Sequence, residues 1–375
     1  MAVTDKAASV TYMLMPFQEF FSDDKVTEIC VNRPGEVFVE RAGKWIAHRD
    51  SAVKRLTYDH LKRLGTAVAA YANTTFGDVT PVMSAVLPHG ERSQFVMPPA
   101  CKDGTISITI RKPSFDIRTL DTYINDDFFT HVHPATEVSA ADKELLNIRK
   151  NLHETDNLQE KVRLRALFLQ RAVELGKNIV IAGETGSGKT TFMKALMQSI
   201  PTDQRIITIE DVPELLWGLP HHPNQVNLLY PSEATEISTV TAASLMRSCL
   251  RMKPDRILLA ELRGGETFDF LNVCLSGHGG TITSCHAGTC KGAFDYLALK
   301  VMQSSVGKSL PYSVIMRLLY MVIDVVVCVH NDKIHGLGRH ITEMWYDPTS
   351  KQESAESVTG QIFRSRVISG GADER

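Results

Sequence analysis

The 375-residue chain predicts an α/β fold with a mostly parallel sheet, preceded by a smaller α+β unit. Beyond Lys177, β-rich runs at 179–182, 205–209, 257–260, 281–285 and 324–330 alternate with helix patterns, as parallel strands joined by crossover helices do. The first of these runs leads into Gly183-Glu184-Thr185-Gly186-Ser187-Gly188-Lys189-Thr190 and then into an apolar-periodic helix pattern. Ahead of them, up to about residue 112, short β-rich runs at 26–31, 36–40 and 105–111 surround one helical pattern at 58–71. Arg33-Pro34-Gly35 reads as the turn between the first two runs.

Periodicity fades from Pro113 to about Pro134, so the expected organisation is an α+β N-terminal domain at 1–113, a linker at 114–139 and the α/β domain at 140–375. Residues 140–175 read as helical, with a break near Asp156-Asn157. The most apolar stretch, 318–329, is too short to span a bilayer, carries Asp324, and reads as a buried strand. About fifteen terminal residues rich in Ser, Gly and Arg read as frayed.

Composition narrows the classes. A 43% hydrophobic and 22% charged chain is ordinary for a soluble globular protein, and a net charge of −2 gives no global basic field for nucleic acid. Seven cysteines without a C-x-x-C spacing fit a reducing compartment and give no zinc site. The start, Met1-Ala2-Val3-Thr4-Asp5-Lys6, lacks a signal-peptide profile, so a cytosolic protein is expected, with attachment to a membrane complex left open.

The G-x-x-x-x-G-K-[ST] loop sets the substrate class. Its glycines let successive backbone N–H groups face one anion at a helix N-terminus. Lys189 can then reach the β- and γ-phosphates, and the Thr190 hydroxyl can ligate Mg²⁺. By chance its four fixed positions would coincide in such a chain about once in a hundred. ATP and Mg²⁺ are therefore the expected ligands.

A parallel sheet places its ligand beyond the carboxyl ends of its strands, and three later segments put polar residues there. One ends in Glu210-Asp211, one in Ala260-Glu261 ahead of Leu262-Arg263-Gly264-Gly265-Glu266, and one carries His278 and His286. Each has a bland alternative: a helix cap for Glu210 and Asp211, a solvated strand end for Glu261, a turn or core histidine for the others. Ala260 stands where a P-loop protein often has an Mg²⁺-holding Asp, so Glu261, with Glu210, is expected to sense the metal and orient the attacking water.

Together these motifs resemble the secretion-ATPase superfamily that powers bacterial type II and type IV secretion and pilus machines. Residues 183–191, Thr191 included, resemble its P-loop; Ile209-Glu210-Asp211 with Pro213-Glu214-Leu215 its "Asp box"; 252–266 its atypical second-strand motif; and 277–287 its "His box". Within that superfamily, Cys30-Val31-Asn32-Arg33-Pro34-Gly35-Glu36-Val37, Leu87-Pro88-His89-Gly90-Glu91-Arg92 and Ile108-Thr109-Ile110-Arg111-Lys112-Pro113 are similar to the N-terminal domain of the type IV secretion traffic ATPases. The tetracysteine insert usual in type II relatives is lacking.

The resemblance implies a RecA-like ATPase domain and a homohexameric ring. It places that ring peripherally at the cytoplasmic face of the inner membrane, beside other secretion-system ATPases and channel components. It implies that Lys189, Glu210, Glu261 and His286 serve catalysis, and that Arg92 and Arg111 reach the phosphates, where guanidinium forks suit the oxygens. The alternative for Arg92 and Arg111 is two surface arginines. Arg247 and Arg251, four apart on the expected helix before Ile257, either reach a neighbouring subunit or only solubilise that helix. A type II or pilus motor, a nucleic-acid translocase on the same core and a nucleotide-binding scaffold are the alternative functions.

Overall fold

The computed structural model describes residues 2–114, 116–132, 138–232 and 240–348, with side chains from Lys6 onward. In chain order, α1 (Ala2–Met13) and α2 (Gln18–Ser22) lead into β1 (Val26–Arg33), β2 (Glu36–Arg41) and β3 (Lys44–His48). Then come α3 (Tyr58–Tyr71), β4 (Val82–Val86), β5 (Arg92–Val96) and β6 (Ser107–Arg111). Three helices follow: α4 (Leu120–Asn125), α5 (Ala140–Glu154) and α6 (Leu158–Glu174). The alternating part comprises β7 (Ile179–Gly183), α7 (Lys189–Met197), β8 (Ile206–Glu210), β9 (Gln225–Leu229), α8 (Ala242–Cys249), β10 (Arg256–Leu259), α9 (Glu266–Leu275) and β11 (Ile282–Cys285). It closes with α10 (Cys290–Val301), α11 (Tyr312–Val322), β12 (Val325–Asp332) and β13 (Gly338–Tyr346).

The chain forms two compact units. One comprises Met1–Asp116, Thr190–Leu262 and Asn272–Ser284; the other comprises Ile117–Lys189, Arg263–Leu271 and Cys285–Arg375.

In the first unit, the antiparallel sheet β3-β2-β1-β6-β5-β4 covers a core built with α3, whose Leu61, Leu64 and Val68 recur at helical spacing and are fully buried. Thr57 caps that helix by accepting from the His60 amide at 3.2 Å. The same unit contains the parallel ladder β11-β10-β8-β9, whose strands β8 and β10 are buried throughout. Arg205, at the entrance to β8, is the largest fully buried side chain among the described residues. Its guanidinium donates to the Met252 carbonyl at 2.9 Å, to the side-chain oxygens of Asn32 at 2.6 Å and Asn224 at 2.7 Å, and to the Thr109 hydroxyl at 3.5 Å.

In the second unit, β12 pairs parallel with β7 and antiparallel with β13. The stretch 318–329, expected to be one strand, is the end of α11 followed by most of β12. An apolar run alone does not tell a buried helix from a buried strand, and the break falls at Asp324. The carboxylate of Asp324 accepts the Asn178 amide at 2.7 Å, which gives the charge within that run a partner at the start of β7. The expected linker also holds the short helix α4. The helix carrying Arg247 ends at Cys249, so Arg251 lies beyond it and not on its face. The expected frayed terminus lies outside the described residues.

No helix of the described residues is long and apolar enough to cross a membrane.

Candidate active site

The loop after β7 has the shape its glycines allow. A Cβ on Gly183 would lie 2.4 Å from the Val329 carbonyl oxygen and 2.6 Å from the Ser187 hydroxyl, so only glycine lets β7 pass β12 and turn. Gly188 has φ of +96°, a left-handed conformation that aims the chain into α7. That helix begins at Lys189. Lys189 is 9% exposed, and its ammonium donates to the carbonyls of Gly183 at 2.8 Å and Glu184 at 3.1 Å, curling back over the loop. Ser187 is buried, and its hydroxyl has no hydrogen-bond partner among the described residues. An orphaned hydroxyl and an ammonium inside a ring of backbone groups suit a ligand with many acceptor oxygens. Glu184, Thr185 and Gly186 are exposed at the lip, with Thr190 half-buried and Thr191 exposed on the first turn of α7. Thr190 makes no side-chain hydrogen bond among the described residues, which leaves its hydroxyl available to a cation.

In the first unit, Glu210 and Glu261 stand at the same edge of the parallel ladder. Leu259 of β10 is in register with Ile209 of β8, and the Ala260 amide donates to the Ile209 carbonyl at 3.0 Å. Ser284 at the end of β11 ties down both neighbours of Glu261. Its hydroxyl donates to the Ala260 carbonyl at 2.8 Å, and its own carbonyl accepts the Leu262 amide at 2.9 Å. Glu261 is 9% exposed on this doubly anchored backbone. Glu210 is fully buried, and both its oxygens are in use. One accepts the amides of Glu214 at 2.7 Å and Leu215 at 2.6 Å, the other that of Leu216 at 2.9 Å. Burial raises its carboxyl pKa and those three bonds oppose the rise. The capping alternative thus describes Glu210 here: its carboxylate organises the turn at 214–217 and leaves no oxygen open to water. His286 is half-buried, just past β11 and ahead of the Thr289 cap of α10.

Arg92 and Arg111 are brought together. They are directly opposed partners on β5 and β6, and Arg111 is in register with Glu28 on β1. All three line a cavity of about 790 Å³ in the first unit, together with Arg251, Lys253 and His278. Glu28 is buried, with its carboxylate 3.6 Å from the Arg111 Nε. Burial pushes its carboxyl up to about 7 against the opposing pull of Arg111. Lys253 has φ of +52° ahead of Pro254 and pairs with Glu40 at 3.1 Å. Burial, and then the charge of Lys253, hold the His278 imidazole below its ordinary pKa. Sequence reasoning missed Glu28, because a Glu in a β-run reads as a solvated face; pairing order, which puts β1 beside β6, is what reveals it.

The cysteine spacing gives no zinc site, yet folding brings the thiols of Cys290 and Cys328 to 3.6 Å, within metal-ligating distance of the Glu343 carboxylate. Pairing of β12 with β13 brings Cys328 to Glu343, and the start of α10 brings Cys290 onto them, so no local spacing announces the group.

A buried strand, a glycine-bent loop and a helix opening on the loop's lysine define a P-loop nucleotide-binding fold. The chain belongs to the type II/IV secretion system protein family, whose model matches residues 138–366. It is 57% identical over 354 residues to the type IV secretion system protein VirB11 of Brucella abortus biovar 1 (strain 9-941), covering 94% of this chain and 93% of that one. It is 42% identical to the type IV secretion system protein PtlH of Bordetella pertussis, over 92% of this chain and 97% of that one. Among solved structures it is similar to the VirB11 ATPase of the Brucella suis type IV secretion system in complex with sulphate. That match has a TM-score of 0.86 at 55% identity and covers 94% of this chain and 99% of that one.

Proposed function

We propose that the chain hydrolyses ATP to power type IV secretion, as a ring of six copies at the cytoplasmic face of the inner membrane. The P-loop carries this reading: a backbone cradle holding a buried lysine and a buried hydroxyl suits a triphosphate. On binding, the Lys189 ammonium leaves the Gly183 and Glu184 carbonyls for β- and γ-phosphate oxygens, exchanging neutral acceptors for charged ones. The amides of 184–190 and the Ser187 hydroxyl hold the remaining oxygens.

Thr190, with Glu261 nearby in the assembled site, would hold Mg²⁺, which supplies neutralisation of the charge shared by the β- and γ-phosphates. Glu261 orients the attacking water; its fixed backbone suits a task of positioning more than of basicity. His286 reads the γ-phosphate, and Arg92 and Arg111 stabilise charge on it from the N-terminal side. In this reading the working domains are 1–113 and 140–375, with 114–139 as the connection between them.

Phosphate release by the purified protein with Mg-ATP, in the presence of partner proteins, anionic vesicles or DNA, tests the reading. Turnover raised by partners or vesicles and indifferent to DNA is the expected result. Turnover that requires DNA would replace it with a nucleic-acid translocase, and tight ATP binding without turnover would leave a scaffold.

A further inference from the structure

We propose that Glu28 is a positioning residue for the phosphate-reading arginines: its carboxylate anchors the inner edge of the Arg111 guanidinium so that the outer nitrogens face the cavity. This rests on the reading that Arg111 contacts a phosphate. Two arginines directly opposed on antiparallel strands repel each other, and an unanchored pair would splay apart. Four basic side chains (Arg92, Arg111, Arg251 and Lys253) line the cavity against one lining carboxylate, that of Glu28. The imbalance suits a multiply charged oxyanion such as a terminal phosphate.

Glu28 approaches Arg111 on its Nε side. A guanidinium held along that side keeps its two terminal amino groups for a ligand, and the Arg111 side chain is 69% exposed. Glu28 is poorly placed for a merely structural ion pair. It is 4% exposed on its side chain, and its partner stands at 3.6 Å with no direct hydrogen bond. Such a buried charge opposes folding. The charged groups facing it are Arg111 from β6, Glu40 from β2, Lys253 ahead of β10 and Arg205 ahead of β8. Glu40 works against its ionisation and the three cations favour it, so the anchor forms as the carboxyl ionises near neutral pH.

The test uses the full chain with Glu28→Gln, Glu28→Asp and Arg111→Ala, read by phosphate release against ATP concentration from pH 6 to 8.5 and by thermal melting at pH 8. Wild-type kcat should rise with pH through about 7, where Glu28 ionises. Glu28→Gln should lower kcat at pH 8 by about tenfold, lose that rising limb and melt at a higher temperature. Glu28→Asp, which keeps the charge, should restore part of the limb. If Arg111→Ala lowers kcat but Glu28→Gln leaves kcat and its pH profile unchanged, the inference fails while the arginine reading stands. A Glu28→Gln protein that melts lower, loses rate and keeps the rising limb would also overturn it, as a structural residue only. If Arg111→Ala itself leaves kcat unchanged, the reading underneath falls.

Discussion

The Arg205 guanidinium donates to the Asn32 side-chain oxygen at 2.6 Å, joining positions 173 residues apart in a site sealed from water. Asn32 closes the end of β1, and the next guanidinium nitrogen reaches Thr109, two residues before Arg111 on β6. One buried side chain thus ties the sheet bearing Glu28 and Arg111 to the start of the parallel ladder bearing Glu210 and Glu261. The side chain of Asp255 strengthens the joint, accepting the Arg205 amide at 2.6 Å and the Trp45 indole N–H at 3.0 Å.

Arg205→Met should therefore destabilise the protein by about 3 kcal/mol, because it strands the Asn32 side-chain oxygen and the Met252 carbonyl in a dry site and leaves the Asn224 oxygen only the Asn32 amide. Urea unfolding of the purified variant measures this. A loss within about 0.5 kcal/mol, the range of a surface change, would show that the network carries no energy.

Glu210→Ala should cost about 2 to 4 kcal/mol by leaving the Leu215 and Leu216 amides without their acceptor, while the Glu214 amide keeps the Val212 carbonyl at 2.8 Å. ATPase rate should fall with the loss of that turn, while ATP affinity changes little. Thermal melting and equilibrium nucleotide binding check the two halves separately. Wild-type stability with abolished turnover would instead make Glu210 a chemical group.

Stability should also depend on pH through Glu28. Its carboxyl rises from an ordinary 4.5 to about 7 on folding, so the stabilising form is the protonated one. The contribution is present below pH 4.5 and is lost as pH climbs through 7, amounting to at most on the order of 3 kcal/mol. The melting temperature of Glu28→Gln minus that of wild type should widen from pH 5 to pH 8. A constant or shrinking difference would contradict the buried, strained carboxylate.

Glu261→Gln should keep ATP binding and lose hydrolysis, since the amide matches the shape that Ser284 fixes on either side but cannot orient water as a carboxylate does. Single-turnover measurement on prebound ATP checks it. Weakened ATP binding with unchanged turnover of what remains bound would make Glu261 a binding element.

Local chemistry made part of this legible in advance. The loop at 183–190, the helix at 58–71 and the α5–α6 break near Asp156 are written in turn residues, caps and periodicity, which act over a few positions. Strands β3, β4, β5, β9 and β13 escaped notice because their burial depends on neighbours distant in sequence; β4 and β13 are half-exposed, without clean alternation. Glu210 could be placed at a strand end but not assigned a partner, because its three acceptor bonds arise only when the following turn folds back. Glu28 and Cys328 gained their neighbours from strand order, and Cys290 from the packing of α10, neither of which a local pattern specifies.

If ATP is hydrolysed at the loop whose lysine is Lys189, Lys189→Ala removes the reaction. Steady-state phosphate release from Mg-ATP should fall to background, because the point charge on the β- and γ-phosphates is gone. Melting temperature and oligomer size should stay at wild-type values, since the lysine's hydrogen bonds at 2.8 and 3.1 Å go to carbonyls of its own loop. A Lys189→Ala protein that releases phosphate at the wild-type rate would contradict the account.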